Sequence, residues 1–323
     1  LVKEVFTRPR LLRLLGRGLR LYQWTRFERF FRRVRFFGLL PRRLRDLERQ
    51  TPAVRPRFSH QLIQTVESPP GGRRHRVGLL TGCVQDLAFS DVNRDTADVL
   101  LAAGCEVVTP PVQGCCGSLH AHNGEPGLAR ELARRLIDQF PPDEFDGIIS
   151  NAGGCGSHLK HFGHLLGDDP AYADRARAWD LKLFDIHEWL DRIGFDPGLP
   201  PDPDPGEGPV AYHESCHLCH GQGVRQQPRK LLDLIPGRRR VELPESDWCC
   251  GSAGIYNITQ PGQAEKLLQR KLDHIGATGA PVVATANPGC HLQLQNGLRR
   301  KGASVEVKHP VSLLAAAIRQ KKG

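Results

Sequence analysis

The tripeptide Cys249-Cys250-Gly251 has an earlier copy in this chain, Cys115-Cys116-Gly117. In each copy 31 or 32 residues separate the pair from an earlier cysteine, and 38 or 39 residues separate it from a later one. A spacing pattern that recurs about 134 residues later indicates an internal duplication. We therefore predict two equivalent metal centres, with the ligand sets Cys83, Cys115, Cys116 and Cys155, and Cys216, Cys249, Cys250 and Cys290.

Short apolar runs alternate with helical patterns through both copies, which predicts an α/β fold of two pseudo-symmetric repeats of βαβ units with mainly parallel sheets. The predicted strands are 77–80, 106–108 and 148–150 in the first copy, and 210–213, 241–243, 282–286 and 305–307 in the second. The predicted helices are 90–103, 126–140, 226–235 and 262–275. Every cysteine of the pattern follows a predicted strand, and ligands of open α/β sheets bind at the carboxyl ends of strands. We expect four thiols to converge in each copy.

Iron–sulfur clusters are held by cysteine thiolates, commonly four, and the glycines beside these cysteines suit such a group. Gly117, Gly154, Gly251 and Gly289 are predicted cofactor-binding residues, because they let the backbone approach the cluster and donate N–H groups to sulfur. Structural zinc is the main alternative, although zinc sites usually have tighter cysteine spacing. The run 216–220 also matches the Cys-x-x-Cys-His pattern of covalent haem attachment, but the chain has no methionine for the other axial position.

Several residues near the motifs are interpreted as packing or supporting groups. Cys105 and Cys219 have no counterpart in the other copy and are taken as ordinary buried thiols. Histidines 120, 213, 217 and 220 are more often supporting groups than ligands in such positions. A disulfide framework is disfavoured, since no secretory signal is visible and adjacent cysteines pair poorly. We expect a cytoplasmic protein, with a peripheral position on the inner face of a membrane as a further expectation.

The net charge of +10 is concentrated at the N-terminus. Residues 1–57 hold 17 of the 45 Lys and Arg residues but only 4 of the 35 Asp and Glu residues. Leucines and phenylalanines alternate with these arginines and predict a helical basic arm. Its helices either dock on the body or contact anionic lipid headgroups or an acidic partner. No nucleic-acid motif accompanies the charge. The chain begins at Leu1 and lacks methionine, so we expect it to be part of a longer protein.

The amino-acid sequence around the second set of cysteines resembles that of the CCG cysteine-rich domain family. The matching segments are 213–218, 221–223, 247–257, 287–290 and 309–311, and the resemblance covers about 75–323 well. The chain is most similar to the iron–sulfur subunit of glycolate oxidase and is related to the catalytic subunit of heterodisulfide reductase. Together with the charge pattern and the repeated cysteine spacing, the resemblance divides the chain into a basic helical arm at 1–57 and CCG repeats at 75–195 and 209–323.

The resemblance also implies a function and partners. The chain would be an electron-transfer subunit carrying one or two [4Fe–4S] clusters, preceded by a ferredoxin-like region with two more. It would take electrons from an FAD-containing 2-hydroxy acid dehydrogenase subunit and pass them towards a membrane acceptor. The heterodisulfide reductase pattern has a fifth cysteine per repeat where this chain has Ala152 and Asn287, which favours four-thiolate clusters. A disulfide reductase and a structural metal-binding scaffold stay open as alternatives.

Overall fold

Two sheets form the centre of the computed structural model, which describes residues 2–25, 48, 51–200 and 208–322. The first sheet contains β1 (Val66–Glu67), β2 (His75–Leu80), β3 (Cys105–Val108), β4 (Gly147–Ser150) and β5 (Leu183–Asp185), in the spatial order β1-β3-β2-β4-β5. The second contains β6 (Val210–Tyr212), β7 (Arg240–Glu242), β8 (Val282–Ala284) and β9 (Glu306–Lys308), in the order β7-β6-β8-β9. Every pair is parallel except β1 with β3.

Helices connect and cover these strands. In the first half they are α1 (Val2–Val5), α2 (Pro9–Trp24), α3 (Ser59–Leu62), α4 (Val84–Ala88), α5 (Ser90–Ala102), α6 (Ser118–His122), α7 (Pro126–Gln139), α8 (Gly153–Leu159), α9 (Phe162–Leu165), α10 (Ala173–Lys182) and α11 (Ile186–Arg192). In the second half they are α12 (Cys216–Cys219), α13 (Gln226–Asp233), α14 (Tyr256–Thr259), α15 (Pro261–Ala277), α16 (Pro288–Lys301) and α17 (Pro310–Lys322). A 3₁₀ turn, Pro142–Glu144, precedes β4.

The two halves repeat one strand order. In the first sheet β2 lies between β3 and β4 with β5 outermost, and in the second β6 lies between β7 and β8 with β9 outermost. This shared order confirms the predicted α/β fold of two pseudo-symmetric repeats. The additional strand β1 extends only the first sheet, where Val66 pairs with Val108 in antiparallel fashion.

The two sheets face a common apolar core. Because side chains alternate along a strand, Val77 and Leu79 of β2 enter this shared core, while Leu80 enters a separate core on the outer face. In β8, Val282 likewise faces the shared core and Val283 faces the outer core of the second half. Helices α5, α11, α13 and α17 fill the space between the sheets. The halves are therefore bound to each other by hydrophobic burial.

Some predicted elements differ from those observed. The prolines and glycines of residues 51–75 are typical of a linker, yet Val54, Phe58 and Ile63 are buried there, and the segment contains α3 and β1. Pro52, Pro56 and the 69–72 turn suggested a linker, but the apolar side chains between them pack on the body. Strand β5 and its flanking helices were also not predicted, because a three-residue strand gives little periodicity.

The described part of the arm docks on the body. Arg13 Nε lies 3.1 Å from Asp86 Oδ2, and both side chains are largely buried. Gly16 of α2 faces the Leu87 side chain, and Gln23 Nε2 donates to the Pro52 carbonyl over 2.9 Å. The predicted helical region around Phe27 to Phe37 and residues 201–207 lie outside the described residues. None of the described helices combines the length and apolarity that crossing a bilayer requires.

The shared core predicts that the halves unfold together. Leu314 of α17 is fully buried within it, so Leu314→Ala should lower the free energy of unfolding by about 2–5 kcal/mol. Urea denaturation followed by circular dichroism should show one transition shifted to lower denaturant. Leu181→Ala is the control, since Leu181 is 78% exposed and should change stability by less than about 0.5 kcal/mol. Two separated transitions in the Leu314→Ala protein would contradict the shared core.

Candidate metal centres

The first and last cysteines of each copy lie at the start of a helix that follows a strand. Cys83 precedes α4, which follows β2, and Cys155 is the third residue of α8, which follows β4. In the second copy Cys216 begins α12, which follows β6, and Cys290 is the third residue of α16, which follows β8. Backbone N–H groups of a first turn favour negative charge, so these positions suit thiolates.

The glycine after each cysteine pair turns the chain in the same way in both copies. Gly117 and Gly251 both have φ of +89°, a left-handed conformation that favours glycine. Gly117 N donates to Cys115 Sγ over 3.5 Å, and Gly251 N donates to Cys249 Sγ over 3.3 Å. A Cβ at Gly251 would overlap the carbonyl oxygen of Ala264 in α15. The two positions thus need glycine for conformation as well as for space.

The first copy gathers its four cysteines into one group, which we call thiol site one. Cys83 Sγ lies 3.7 Å from Cys115 Sγ. Cys116 is in hydrogen-bond contact with both Cys115 and Cys155. Cys115 and Cys116 are buried, whereas Cys83 and Cys155 are half-buried and form the open side. A small cavity lined by Cys116 and Cys155 adjoins the group.

The second copy forms an equivalent group, which we call thiol site two. Cys249 is in hydrogen-bond contact with Cys216 and Cys250, and Cys250 is in contact with Cys290. Cys250 and Cys290 are buried, and Cys216 and Cys249 are half-buried. Asn287 Nδ2 donates to Cys290 Sγ over 3.4 Å. Both sites therefore have a buried half and an open half.

In each site, hydrogen bonds between the thiols favour the thiolate form of one cysteine, and a thiolate suits a bound cation. Hydrogen bonds from Cys216 and then Cys250 lower the pKa of Cys249 to about 2, and those from Cys116 and then Cys83 lower the pKa of Cys115. The partner Cys250 has a raised pKa, because it donates to the neighbouring thiolates and is buried. Four adjoining thiols cannot all ionise without a compensating positive charge, and metal binding replaces their protons. The all-sulfur donor set fits an iron–sulfur cluster.

The two sites adjoin each other across the boundary between the repeats. Gly153 N donates to the Ala286 carbonyl over 2.9 Å, and Gly154 N donates to Asn287 Oδ1 over 3.0 Å. The amide of Asn287 thus joins the Cys290 sulfur of site two to the residue before Cys155 of site one. Sequence reasoning missed this bridge, since Asn287 was noted only as a position without cysteine.

Other residues from the sequence analysis lie around the sites. Gly289 is close to Ser252, where a Cβ would come within 2.8 Å of Oγ. All ten cysteines are free thiols. Cys105 packs in the shared core. Burial raises the pKa of Cys219 to about 12, so that thiol is an inert packing group beside site two.

Histidines also surround site one. His120 is buried and in hydrogen-bond contact with Cys115. Burial, and then the charge of His122, lower the pKa of His158 to about 4. The rings of His122 and His217 lie 5.9 Å apart across the boundary between the repeats. His158 and His122 were not singled out by the sequence, because no spacing rule connects them to the cysteines.

Comparison with protein families accounts for the repeat. The model described as CCG, cysteine-rich domain, matches residues 77–160 and 210–295, more than half of the chain. The chain belongs to the CCG cysteine-rich domain family. A model for the linker region of the glycolate oxidase iron–sulfur subunit also matches residues 1–51 of this CCG-family chain. The resemblance drawn from the motifs is confirmed.

Three curated relatives of this chain support the assignment to this family. A probable glycolate oxidase iron–sulfur subunit of Bacillus subtilis is 37% identical, over 97% of this chain and 71% of the relative. The glycolate oxidase iron–sulfur subunit of Escherichia coli is 31% identical, over 98% of this chain and 75% of the relative. Lactate utilization protein A of Oceanobacillus iheyensis is 31% identical, over 74% of this chain and 96% of the relative.

The constraint on the Gly251 turn can be tested in protein that holds no metal. Gly251→Ala should lower the free energy of unfolding by at least about 1–3 kcal/mol, because its φ is strained for alanine and its Cβ meets Ala264. Thermal denaturation of metal-free protein measures this. Gly276→Ala is the matched control, since Gly276 lies in α15 with open space around it. The Gly276→Ala protein should be slightly more stable than the wild type, because alanine favours the helix more than glycine. Equal stability of the two variants would show that the Gly251 turn is not constrained.

Proposed function

We propose that this chain is the electron-transfer subunit of a 2-hydroxy acid dehydrogenase. Each thiol site is proposed to hold one [4Fe–4S] cluster, bound by Cys83, Cys115, Cys116 and Cys155 in site one and by Cys216, Cys249, Cys250 and Cys290 in site two. The observation that supports this most directly is that eight cysteines converge into two groups of touching thiols. The first and last cysteines of each group are about 70 residues apart in the sequence. Such clusters supply one-electron redox chemistry when bound.

The protein's own residues would govern how those clusters are held and reached. The N–H groups of Gly117 and Gly251 donate to cysteine sulfur, and hydrogen bonds to sulfur tune reduction potentials. The buried cysteines would exclude water on one side of each site, while the half-buried ones would leave the other side accessible to an electron donor. The Asn287 bridge supports electron exchange between the sites, because it keeps their loops in direct contact.

The proposed donor is an FAD-containing dehydrogenase subunit that oxidises glycolate or lactate. The names of the relatives support this substrate class, since two are glycolate oxidase subunits and one is a lactate utilization protein. The 2-hydroxy acid would be oxidised on the flavin partner, and its electrons would pass to this chain one at a time. No Ser/His/Asp set or phosphate loop stands out in the sequence, which agrees with substrate chemistry on the partner.

A membrane surface is proposed as the place where the arm acts. The outer face of α2 exposes Leu14, Leu15, Leu21 and Trp24 beside Arg10 and Arg17. Apolar side chains next to arginines suit the interface of an anionic bilayer, where they enter the headgroup region while the charges meet lipid phosphates. The opposite face of α2 docks on the body through Arg13 and Gly16. The exposed face is therefore free to contact a membrane while the helix stays docked.

Electron transfer through the sites is tested with the flavoprotein present. The full-length chain, co-purified anaerobically with its FAD-containing partner, should show reduced cluster signals by EPR after addition of glycolate or lactate. Cys250→Ser should lower bound iron to about half, because one of two equivalent sites is lost. Iron and acid-labile sulfide are measured on the same samples.

Cys219→Ser is the matched control, because Cys219 is equally buried in the same repeat but lies outside the proposed ligand set. Its iron content should equal that of the wild type. Zinc without sulfide would contradict the cluster proposal and favour a structural scaffold. Iron clusters that release thiols from a heterodisulfide, yet stay oxidised with the flavoprotein and hydroxy acid, would favour a disulfide reductase.

The role of α2 is tested by vesicle co-sedimentation. The wild type should bind vesicles containing phosphatidylserine more strongly than vesicles of phosphatidylcholine alone, and this binding should weaken as salt is raised. The Leu14→Ser, Trp24→Ser double variant should bind them several-fold more weakly with unchanged iron content. Leu181→Ser is the control for loss of an exposed apolar side chain elsewhere. Equal sedimentation of all three proteins would refute a membrane role for this face.

A further inference from the structure

His213 lies at the inner end of thiol site two. It directly follows β6, and its backbone N–H donates to the Ala284 carbonyl over 2.9 Å, which extends the pairing of β6 with β8. The side chain is 0% exposed. A ring nitrogen of His213, Cys250 Sγ and Cys290 Sγ all lie within 4.8 Å of one another. The imidazole therefore borders the buried half of the site, opposite the half-buried Cys216 and Cys249.

Apart from the Cys290 thiol, neither ring nitrogen of His213 has a hydrogen-bond partner among the described residues. A buried polar group without a partner loses its hydration without compensation, so native proteins rarely leave one unpaired. Of the two nitrogens of this fully buried imidazole, at most one therefore has a partner, the thiol of a proposed metal ligand. At least one of them is aimed into a group of thiols that already fits a metal site. The missing partner is best supplied by the group that occupies the site.

We propose that His213 is an iron ligand of site two, in addition to its four cysteine thiolates. The bond would form between the lone pair of a neutral imidazole nitrogen and one iron of the cluster, beside Cys250 and Cys290. Imidazole is a common iron ligand, and its presence among thiolates changes the electronic structure of an iron–sulfur centre. This inference rests on the proposed iron–sulfur function and specifies the donor set of one of its two sites.

The same position in the first repeat carries no donor. By the spacing of the repeat His213 corresponds to Leu80, whose apolar side chain belongs to the outer core of the first half. In site one the imidazole of His120 is in hydrogen-bond contact with Cys115. The two sites thus differ in their donor sets, and this difference would give their clusters different reduction potentials.

The test uses pulsed EPR of the reduced full-length protein, with its histidines labelled with ¹⁵N and all other nitrogen left as ¹⁴N. A directly bound imidazole should give a strong ¹⁵N hyperfine coupling, which the label separates from backbone amide nitrogen. We expect this coupling in the wild type. We expect it to be absent in His213→Leu, which copies the residue of the first repeat, while the iron content stays unchanged.

His291→Leu is the matched control. His291 follows Cys290 directly and is buried, but its ring packs on Phe89 at 4.4 Å and should not contribute to the coupling. Strong cluster signals without histidine ¹⁵N coupling in the wild type would overturn the proposal even if a variant failed to fold. Coupling that persists in His213→Leu, or that disappears in His291→Leu, would also overturn it. Absence of any cluster signal would instead refute the proposed function, and the ligand role with it.

Discussion

Parallel strands end at the same edge of a sheet, and this constraint brings distant cysteines together in each half of the molecule. Strands β2 and β4 deliver Cys83 and Cys155 to one edge, and the loop after β3 delivers the adjacent pair. The glycine after the pair then adopts a left-handed φ and points its own N–H at sulfur. Neither step depends on the metal, so the polypeptide is preorganised to present its thiols.

Much of the fold could be predicted because its signals are local and repeated. The apolar run 77–80 and the helical spacing over 126–140 correspond closely to β2 and α7, and the cysteine spacing relates the two halves. The convergence of the thiols followed from the same reasoning. Strand β5 escaped prediction, since three residues are too few for periodicity, and β1 was hidden among prolines and glycines that indicate a linker.

The contacts between the two sites could not be predicted, because they arise where the repeats meet rather than within either one. Asn287 carries no motif that would connect it to Gly154, 133 residues earlier in the chain. The same holds for His187 and His309, whose rings stack 5.5 Å apart at equivalent ends of the two sheets. His213 was interpreted from its sequence context as a supporting group, and only its burial and its position beside Cys250 and Cys290 suggest a different role.

The half-buried cysteines have a consequence for handling the protein. Cys83, Cys155, Cys216 and Cys249 are the half-buried cysteines of the sites, so molecules in solution approach the sites from that side. An opening that admits an electron donor also admits dioxygen, peroxide and chelators. Damage by air would therefore begin at these four sulfurs, while Cys250 and Cys290 stay shielded beneath them.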